Sequence, residues 1–448
     1  MTMARWLGLL YAFYGCISVL VLALLTPPFQ NADEPAHFVR ADQISHGGLL
    51  ARTDINAPAL IDSGILRGAE VFSPVSTPLR VHVGRSMYTP VPWGPRIQAA
   101  YPSSAIYPPV FYLPAAAAIA VALRRGLTVL PALELARGLT GLASITVGAV
   151  AIALSGPGSI WLFCLLTLPM ALAQAAAISQ DGPLIACCAL AAALFWQSGR
   201  IGGQARGWTL GGACLLIALA GQARPPYLAL AFLPLAVFGF SRAVRGSAVM
   251  LICAAIMGWF WVTVSVSHID VGRFNGSDAQ AQAMGLLMAP WRLPALLART
   301  IDVSGWVLAA QFVGQLGWLD VVLPDSYMRV AWCVLLAAVC GTIFAGRGWW
   351  RGWRVALAAG CILSAAIGMF IIQYLTWTHV GAGMIEGMQG RYFLPLAAMF
   401  PLIFARQGMG DLAAWRGRVV LPIVAVVALF PMVTIAVTVH QVLLRYYL

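Results

Sequence analysis

The sequence predicts an all-α polytopic membrane protein. Three observations carry that expectation. Hydrophobic residues fill 61% of the 448 positions and charged residues only 9%, a balance that soluble domains of this length do not show. Apolar runs recur along the whole chain. Arginines concentrate in the short segments between those runs. All 27 basic residues are arginine, which reads as genome composition and lowers the weight of any single guanidinium. The cysteines (Cys16, Cys164, Cys187, Cys188, Cys214, Cys253, Cys333, Cys340, Cys361) lie in apolar segments without a CxxC or a Cys/His cluster. They read as small core residues, not as disulfides or metal ligands.

Taken in order, apolar spans are expected near 5–25, 105–123, 183–198, 208–221, 226–240, 247–266, 327–345, 355–375, 392–405 and 418–440. A longer stretch, 139–178, is broken at Gly156-Pro157-Gly158 and has to cross an odd number of times, giving about 11 net crossings. The first run is a retained helix, since no small-residue cleavage site precedes the polar loop. With the N-terminus inside, the segments carrying Arg124, Arg125, Arg137, Arg200, Arg206, Arg242, Arg245, Arg347, Arg351, Arg354, Arg406, Arg416 and Arg418 become cytoplasmic. Only Glu134 and Asp411 oppose them there. This positive-inside pattern accounts for the net charge of +12 without any nucleic-acid partner.

The same topology puts thirteen of the 15 acids on the outer face, in segments 26–104, 180–183, 222–227, 267–325 and 376–391. Such an asymmetry suits a protein handling something polar at the outer membrane surface, although exclusion of acids from inner loops also produces it. The first outer loop, 26–104, is rich in proline and too long for a connector; short amphipathic helices over the membrane are expected there. The second large outer segment is 267–325.

Asn31-Ala32-Asp33-Glu34-Pro35-Ala36-His37-Phe38 opens the first loop. Pro35 suits a first helical turn and Gly47-Gly48 a stop, so a helix from about Pro35 to His46 is expected. Asp33 and Glu34 would sit at its N-terminus, favoured there as carboxylates, with His37 one turn on and Arg40 following on that side. Taken alone, these residues are better explained as an N-cap and an interfacial histidine. At the loop's end, Tyr107 and Tyr112 are either belt aromatics or substrate contacts.

Four further sites stand out. Asp181 occupies a Gly-Pro turn and is a cap or a site acid. Arg224, before Pro225-Pro226-Tyr227, either snorkels or binds phosphate. Gly317-Trp318-Leu319-Asp320 would aim Asp320 at the bilayer surface. Glu386-Gly387-Met388-Gln389-Gly390-Arg391-Tyr392-Phe393 places Glu386, Gln389 and Arg391 just outside a span, with Arg391 either contacting an anionic phosphate or pairing with Glu386.

Asn-Ala-Asp-Glu-Pro-Ala-His-Phe (31–38), Tyr-Pro-Pro-Val-Phe-Tyr-Leu-Pro (107–114), Gly-Trp-Leu-Asp (317–320) and Gln-Gly-Arg-Tyr-Phe-Leu-Pro (389–395) together resemble the bacterial integral-membrane family called domain of unknown function 2142. The match runs through nearly the whole chain in order. That family in turn looks like the GT-C superfamily of glycosyltransferases, which carry an acidic motif in the first outer loop. The resemblance implies a bacterial cytoplasmic-membrane enzyme that takes sugar from a polyprenyl-phosphate donor and passes it to a glycan or lipid-linked acceptor outside, with Asp33 at the catalytic acidic position. Membrane lipid is its other partner.

The residues suit that chemistry. An inverting transfer needs a carboxylate to accept the acceptor's proton and cations to meet the departing phosphate. Asp33 would be the base, and Arg391 with Arg224 or Arg40 would meet the phosphate. Glu34 would orient the acceptor or join Asp33 and His37 around a divalent cation, Mg or Mn; His37 is otherwise a phosphate donor or a partner of Asp33. No Walker loop, Rossmann fingerprint or soluble domain supports a nucleotide-sugar site inside. A lipid-linked-sugar transporter and a non-catalytic assembly partner in surface polysaccharide synthesis are the alternatives.

Overall fold

The computed structural model describes residues 2–49, 59–76, 80–99, 102–201, 203–238, 276–346, 352–404 and 414–448, with the single positions 248, 252 and 258. Apart from those three positions the expected span at 247–266 lies outside the described residues, as do the arginines at 242, 245, 347, 351 and 406. The described residues are mostly helical, and among them seven helices are long and apolar enough to cross a membrane, or eight if one bent pair counts as a single span.

Helix α1 (Met3–Leu25) runs to the end of the bundle that carries the first loop. Beyond it come α2 (Glu34–Ser45), strand β1 (Ala59–Asp62), α3 (Ser63–Ser76) and strand β2 (Arg96–Ala99). The first loop therefore holds more than the helices expected of it, since β1 and β2 pair antiparallel with Asp62 opposite Arg96. Asp62 Oδ1 accepts the amides of Gly64 and Gly94 at 2.8 and 2.9 Å. Arg96 reaches back to Asp42 of α2 at 2.9 Å. Helix α2 is buried on most of its circumference, including Phe38, Val39, Ala41 and Ile44. It is a core element of the loop and not a helix floating on the bilayer.

The apolar run at 105–123 does not cross. It forms α4 (Leu113–Arg124), whose 12 residues span only about 18 Å, well short of a ~30 Å hydrocarbon core. Both of its ends stay with the first loop: Tyr112 touches His37 of α2, Trp93 donates to the Leu127 carbonyl at 2.8 Å and Val129 to that of Val91 at 3.0 Å. Its Ala115, Ala118, Ile119 and Ala122 are buried against protein. An alanine-rich stretch hydrophobic enough for lipid is here covered by neighbouring helices.

Helix α5 (Val129–Leu154) starts at this end and packs antiparallel on α1. A Cβ on Gly8 would stand 2.8 Å from the Ala149 carbonyl oxygen, so a small residue sets the approach of the two helices. Arg124, Arg125, Glu134 and Arg137 consequently belong to the first-loop end, not to the opposite end where the charge pattern put them. Gly156–Gly158 is the turn between α5 and a bent pair, α6 (Ser159–Leu166) and α7 (Pro169–Ala175), which meet at 80°. The 139–178 stretch thus passes through the bundle twice. The two errors cancel in the count, and Asp181 stays on the first-loop side.

Helices α8 (Asp181–Ser198) and α9 (Gly203–Ala223) pack as an antiparallel pair and return the chain to Arg224. Helix α10 (Arg292–Gly314) has the length and composition of a span, yet its contacts keep it at the first-loop end. Thr300 accepts the Ile385 amide at 2.8 Å, Gln311 that of Gly390 at 2.9 Å, and Gly314 abuts Leu323. Strands β3 (Gln315–Leu316) and β4 (Val321–Val322) form a hairpin there. Helices α11 (Asp325–Ala345), α12 (Gly352–Thr376) and α13 (Ala414–Tyr446) are the remaining long helices described, and the expected spans at 226–240 and 392–405 are described as shorter 3-10 and α-helical pieces, Pro225–Phe232 with Leu233–Phe238 and Gly390–Phe393 with Leu394–Ala397 and Pro401–Phe404.

The last turn of α13 clasps the first loop. Arg445 pairs with Asp320 of the hairpin and donates to the Val75 carbonyl at 2.6 Å. The Tyr447 hydroxyl donates to the Leu25 carbonyl at 2.9 Å.

Candidate functional site

Residues from five separate segments meet beside the start of α2. Asp33 occupies the N-cap position in a left-handed conformation, φ 60° and ψ 7°, and its side chain makes no capping bond. The expected N-cap is thus not made. A non-glycine residue held there stores about 1–2 kcal/mol of strain, and the carboxylate is left half exposed at 49%. The strain aims the acid out of the helix.

Opposite it lies Arg391, 8% exposed. Its Nη2 is 3.8 Å from Asp33 Oδ2 and its Nε 3.7 Å from Asp181 Oδ2, both beyond hydrogen-bond range. Among the described residues its Nε has no hydrogen-bond partner. Arg224 donates to Asp181 Oδ1 at 2.6 Å, while its own Nε is likewise buried and unpartnered. Tyr392 offers its ring to Arg224 at 4.1 Å and to Arg391 at 5.7 Å, so both guanidiniums are held by π-faces as well as by charge. Tyr227 fixes this arrangement by donating to the Tyr392 carbonyl at 2.7 Å. The glycine of Gln-Gly-Arg has a steric reason: a Cβ on Gly390 would collide with the Leu308 carbonyl of α10. Arg391 can therefore lie this close to α10 only behind a glycine.

His37 completes the wall. Its Nδ1 lies 2.7 Å from the Tyr112 hydroxyl, and its ring stacks on Tyr107 and Tyr112 at 6.0 and 5.8 Å. Burial holds the imidazole below its ordinary pKa, outweighing the pull of Asp33 and Asp181. It is neutral at pH 7. Burial likewise pushes the Tyr107 hydroxyl up to about 12.

The structure thus brings together Asp33, His37, Tyr107, Asp181, Arg224 and Arg391 from the sequence-derived candidates. Gln389 adjoins them, with its side-chain oxygen buried and unpartnered among the described residues. Others go elsewhere. Glu34 is fully buried in an ion pair with Arg137, which donates Nε to Oε1 at 2.8 Å and Nη2 to Oε2 at 2.5 Å. Asn31 and the Ile178 amide donate to the same carboxylate. With its oxygens so occupied, Glu34 is a structural acid and not a catalytic one. Arg40 is buried away from the site and donates to Gln43 and to the carbonyls of Gly48 and Leu49, closing the end of α2. Asp320 is taken by Arg445 and caps the Trp318 amide at 3.0 Å. Glu386 pairs with His379 at 2.9 Å rather than with Arg391.

An Asp33–Glu34–His37 metal centre does not fit these positions. Glu34 faces Arg137, His37 Nδ1 faces Tyr112, and the remaining acids share Arg391. Among the described residues no group of three or more His, Cys, Asp or Glu is placed to hold a metal ion.

Sequence reasoning singled out Tyr112 but missed Tyr392 and Tyr227, which lie within quoted motifs. Their signal was adjacency to Arg391 and Arg224. Arg137 had no local signal at all, being 103 positions from Glu34.

With these motifs in one place, comparison with known proteins is decisive on one point. A family profile described as predicted membrane protein (DUF2142) matches residues 16–400. The chain belongs to the DUF2142 family. The DUF2142 match takes in every residue gathered around Asp33 and Arg391, and leaves the first half of α1 and all of α13 outside it. No curated protein and no solved structure matches the chain.

Proposed function

We propose that this protein is a membrane glycosyltransferase of GT-C type, transferring a sugar with inversion from a polyprenyl-phosphate donor to a glycan or lipid-linked acceptor. The reading carries with it an eleven-crossing arrangement in a bacterial cytoplasmic membrane, N-terminus inside, with the first-loop end outside. One observation supports it above the rest: a strained, half-exposed carboxylate, Asp33, faces a buried guanidinium, Arg391, that has no hydrogen bond at Nε.

The chemistry follows from what each group lacks. A buried cation with an unmet donor is costly, and a phosphate oxygen would meet both the charge and the donor. Arg391 and Arg224 are two such cations, both over the Tyr392 ring, suited to a phosphate that gains charge as the sugar leaves. Asp33, held out from its helix, accepts the proton of the attacking hydroxyl. The unpartnered Gln389 oxygen accepts a substrate hydroxyl. Neutral His37 and Tyr107 wall the site without adding charge. Arg391 and Arg224 are the cations that these residues bring to the step.

The test is transfer by the purified protein in lipid nanodiscs, offered a panel of undecaprenyl-phosphate hexoses and pentoses with acceptor glycans. Asp33→Asn keeps the left-handed backbone, which asparagine tolerates, and removes the base. Turnover should be lost with the unfolding midpoint unchanged. Full turnover in Asp33→Asn would overturn the role of Asp33, and transbilayer movement of the lipid-linked sugar without bond formation would favour a transporter.

A further inference from the structure

We propose that a cleft beside Asp33 is a saccharide-binding subsite that seats a neutral sugar ring. It has a volume of about 300 Å³ and is lined by Gln30, Pro35, Glu70, Ser73, Ser76 and Trp318 among others. Gln30 and Pro35 stand three residues before and two after Asp33, so the cleft wall and the proposed base lie on one short run of chain.

The lining selects the ligand class. Among the described residues no cation lines the cleft, so they would leave an anionic headgroup facing Glu70 uncompensated. An acyl chain would bury Glu70, two serines and an amide against hydrocarbon, which is unfavourable. What fits a carboxylate, two hydroxyls, an amide and an indole together is a ligand with hydroxyls at its edge and C–H groups on its face. A sugar ring has that pattern.

Two independent features show a built site. The Gln30 side chain is 1% exposed; its nitrogen donates to the Phe72 carbonyl at 3.0 Å, while its Oε1 has no hydrogen-bond partner among the described residues. It is an acceptor waiting for a donor. Trp318, in turn, is held from several directions while 39% of it stays exposed. Its indole N–H donates to the Phe29 carbonyl at 3.2 Å, and its amide is capped by Asp320, itself fixed by Arg445. Its neighbours Gly317 and Leu319 both have positive φ, 63° and 64°. A leucine in that region is strained, and the turn it makes presents the indole to the cleft. A belt tryptophan needs none of this.

That the seated sugar belongs to the acceptor rests on the transferase reading; that the cleft binds a sugar does not. The experiment therefore reads binding and not turnover. Saturation-transfer NMR is recorded on the full chain in nanodiscs with methyl glycosides of glucose, galactose, mannose and arabinose as probes, empty nanodiscs serving as the blank. The wild type should transfer saturation to the ring protons of at least one probe. Ser73→Trp, which fills the cleft from an exposed position of α3, should weaken that binding about tenfold or more, as should Trp318→Ala, while Trp318→Phe retains it. Asp33→Asn should bind as wild type does. Absence of transfer to every probe, or transfer that survives Ser73→Trp with an unchanged unfolding midpoint, overturns the subsite. Loss of turnover in Asp33→Asn without cleft binding would overturn this inference alone. Cleft binding with full turnover in Asp33→Asn would overturn only the transferase assignment.

Discussion

Two acids adjacent in the chain meet two arginines in opposite ways. Glu34 and Arg137 form a closed unit: the guanidinium spends its donors on the carboxylate and on the carbonyls of Ala23, Thr26 and Pro27. Asp33 and Arg391 form an open one, at 3.8 Å, with a donor left over. Both arginines are buried. The difference lies in what the burial is for. A saturated pair joins the end of α1, the start of α2 and the entrance to α8, whereas an unsaturated pair leaves room for a third charged party.

The largest effect is expected from opening the closed unit. Glu34→Ala or Arg137→Ala leaves an uncompensated buried charge and should cost about 3–5 kcal/mol of stability, read as loss of folded protein or a large fall in unfolding midpoint. The exchanged pair, Glu34→Arg with Arg137→Glu, should not rescue it, because the three carbonyls would then face a carboxylate. Rescue would show that charge balance alone matters there.

Removing Arg391 should do the reverse. Arg391→Ala is expected to leave the unfolding midpoint nearly unchanged and to raise the apparent KM for a polyprenyl-phosphate donor about tenfold to hundredfold, as fits a charged hydrogen bond of about 1.5–3 kcal/mol. A large stability loss without a change in donor affinity would make Arg391 structural and dissolve the contrast. Asp33→Gly comes next in size. Releasing the left-handed strain, offset in part by glycine's greater chain entropy, should stabilise the protein by about 0.5–1 kcal/mol while transfer is lost. Destabilisation would mean that the carboxylate supports the fold.

The smallest effect is a pH dependence. His37 has a depressed folded pKa, so between that value and its ordinary 6.5 the unfolded chain binds more protons than the folded one. Stability should therefore decline as pH falls below about 6.5, and His37→Gln should flatten that part of the curve. An unchanged slope would assign it to other groups.

Much of the site was legible because its residues announce themselves locally. The helix expected from Pro35 to His46 is observed as Glu34–Ser45, its start fixed by proline and its end by the glycine pair. Arg391 and Arg224 stood out as charges at span ends. What stayed hidden depended on partners far along the chain. Leu113–Arg124 reads as a span because alanines satisfy lipid and protein interiors alike; only its contacts with α2 and α5 decide. That error carried Arg137 to the wrong face and left Glu34 without its partner. Glu34 then read as catalytic.

The clasp made by the last turn of α13 bears on how the protein is made. Arg445 closes on Val75 across 370 positions of chain, and at about 5–20 residues per second those partners are synthesised roughly 20 to 70 s apart. Until that interval ends, the loop bearing Asp33, and then the hairpin bearing Trp318, lack the strap between them. The strap closes only once Arg445 has been made, 125 positions after Asp320, on a loop and hairpin already bridged by the Trp318 indole at the Phe29 carbonyl.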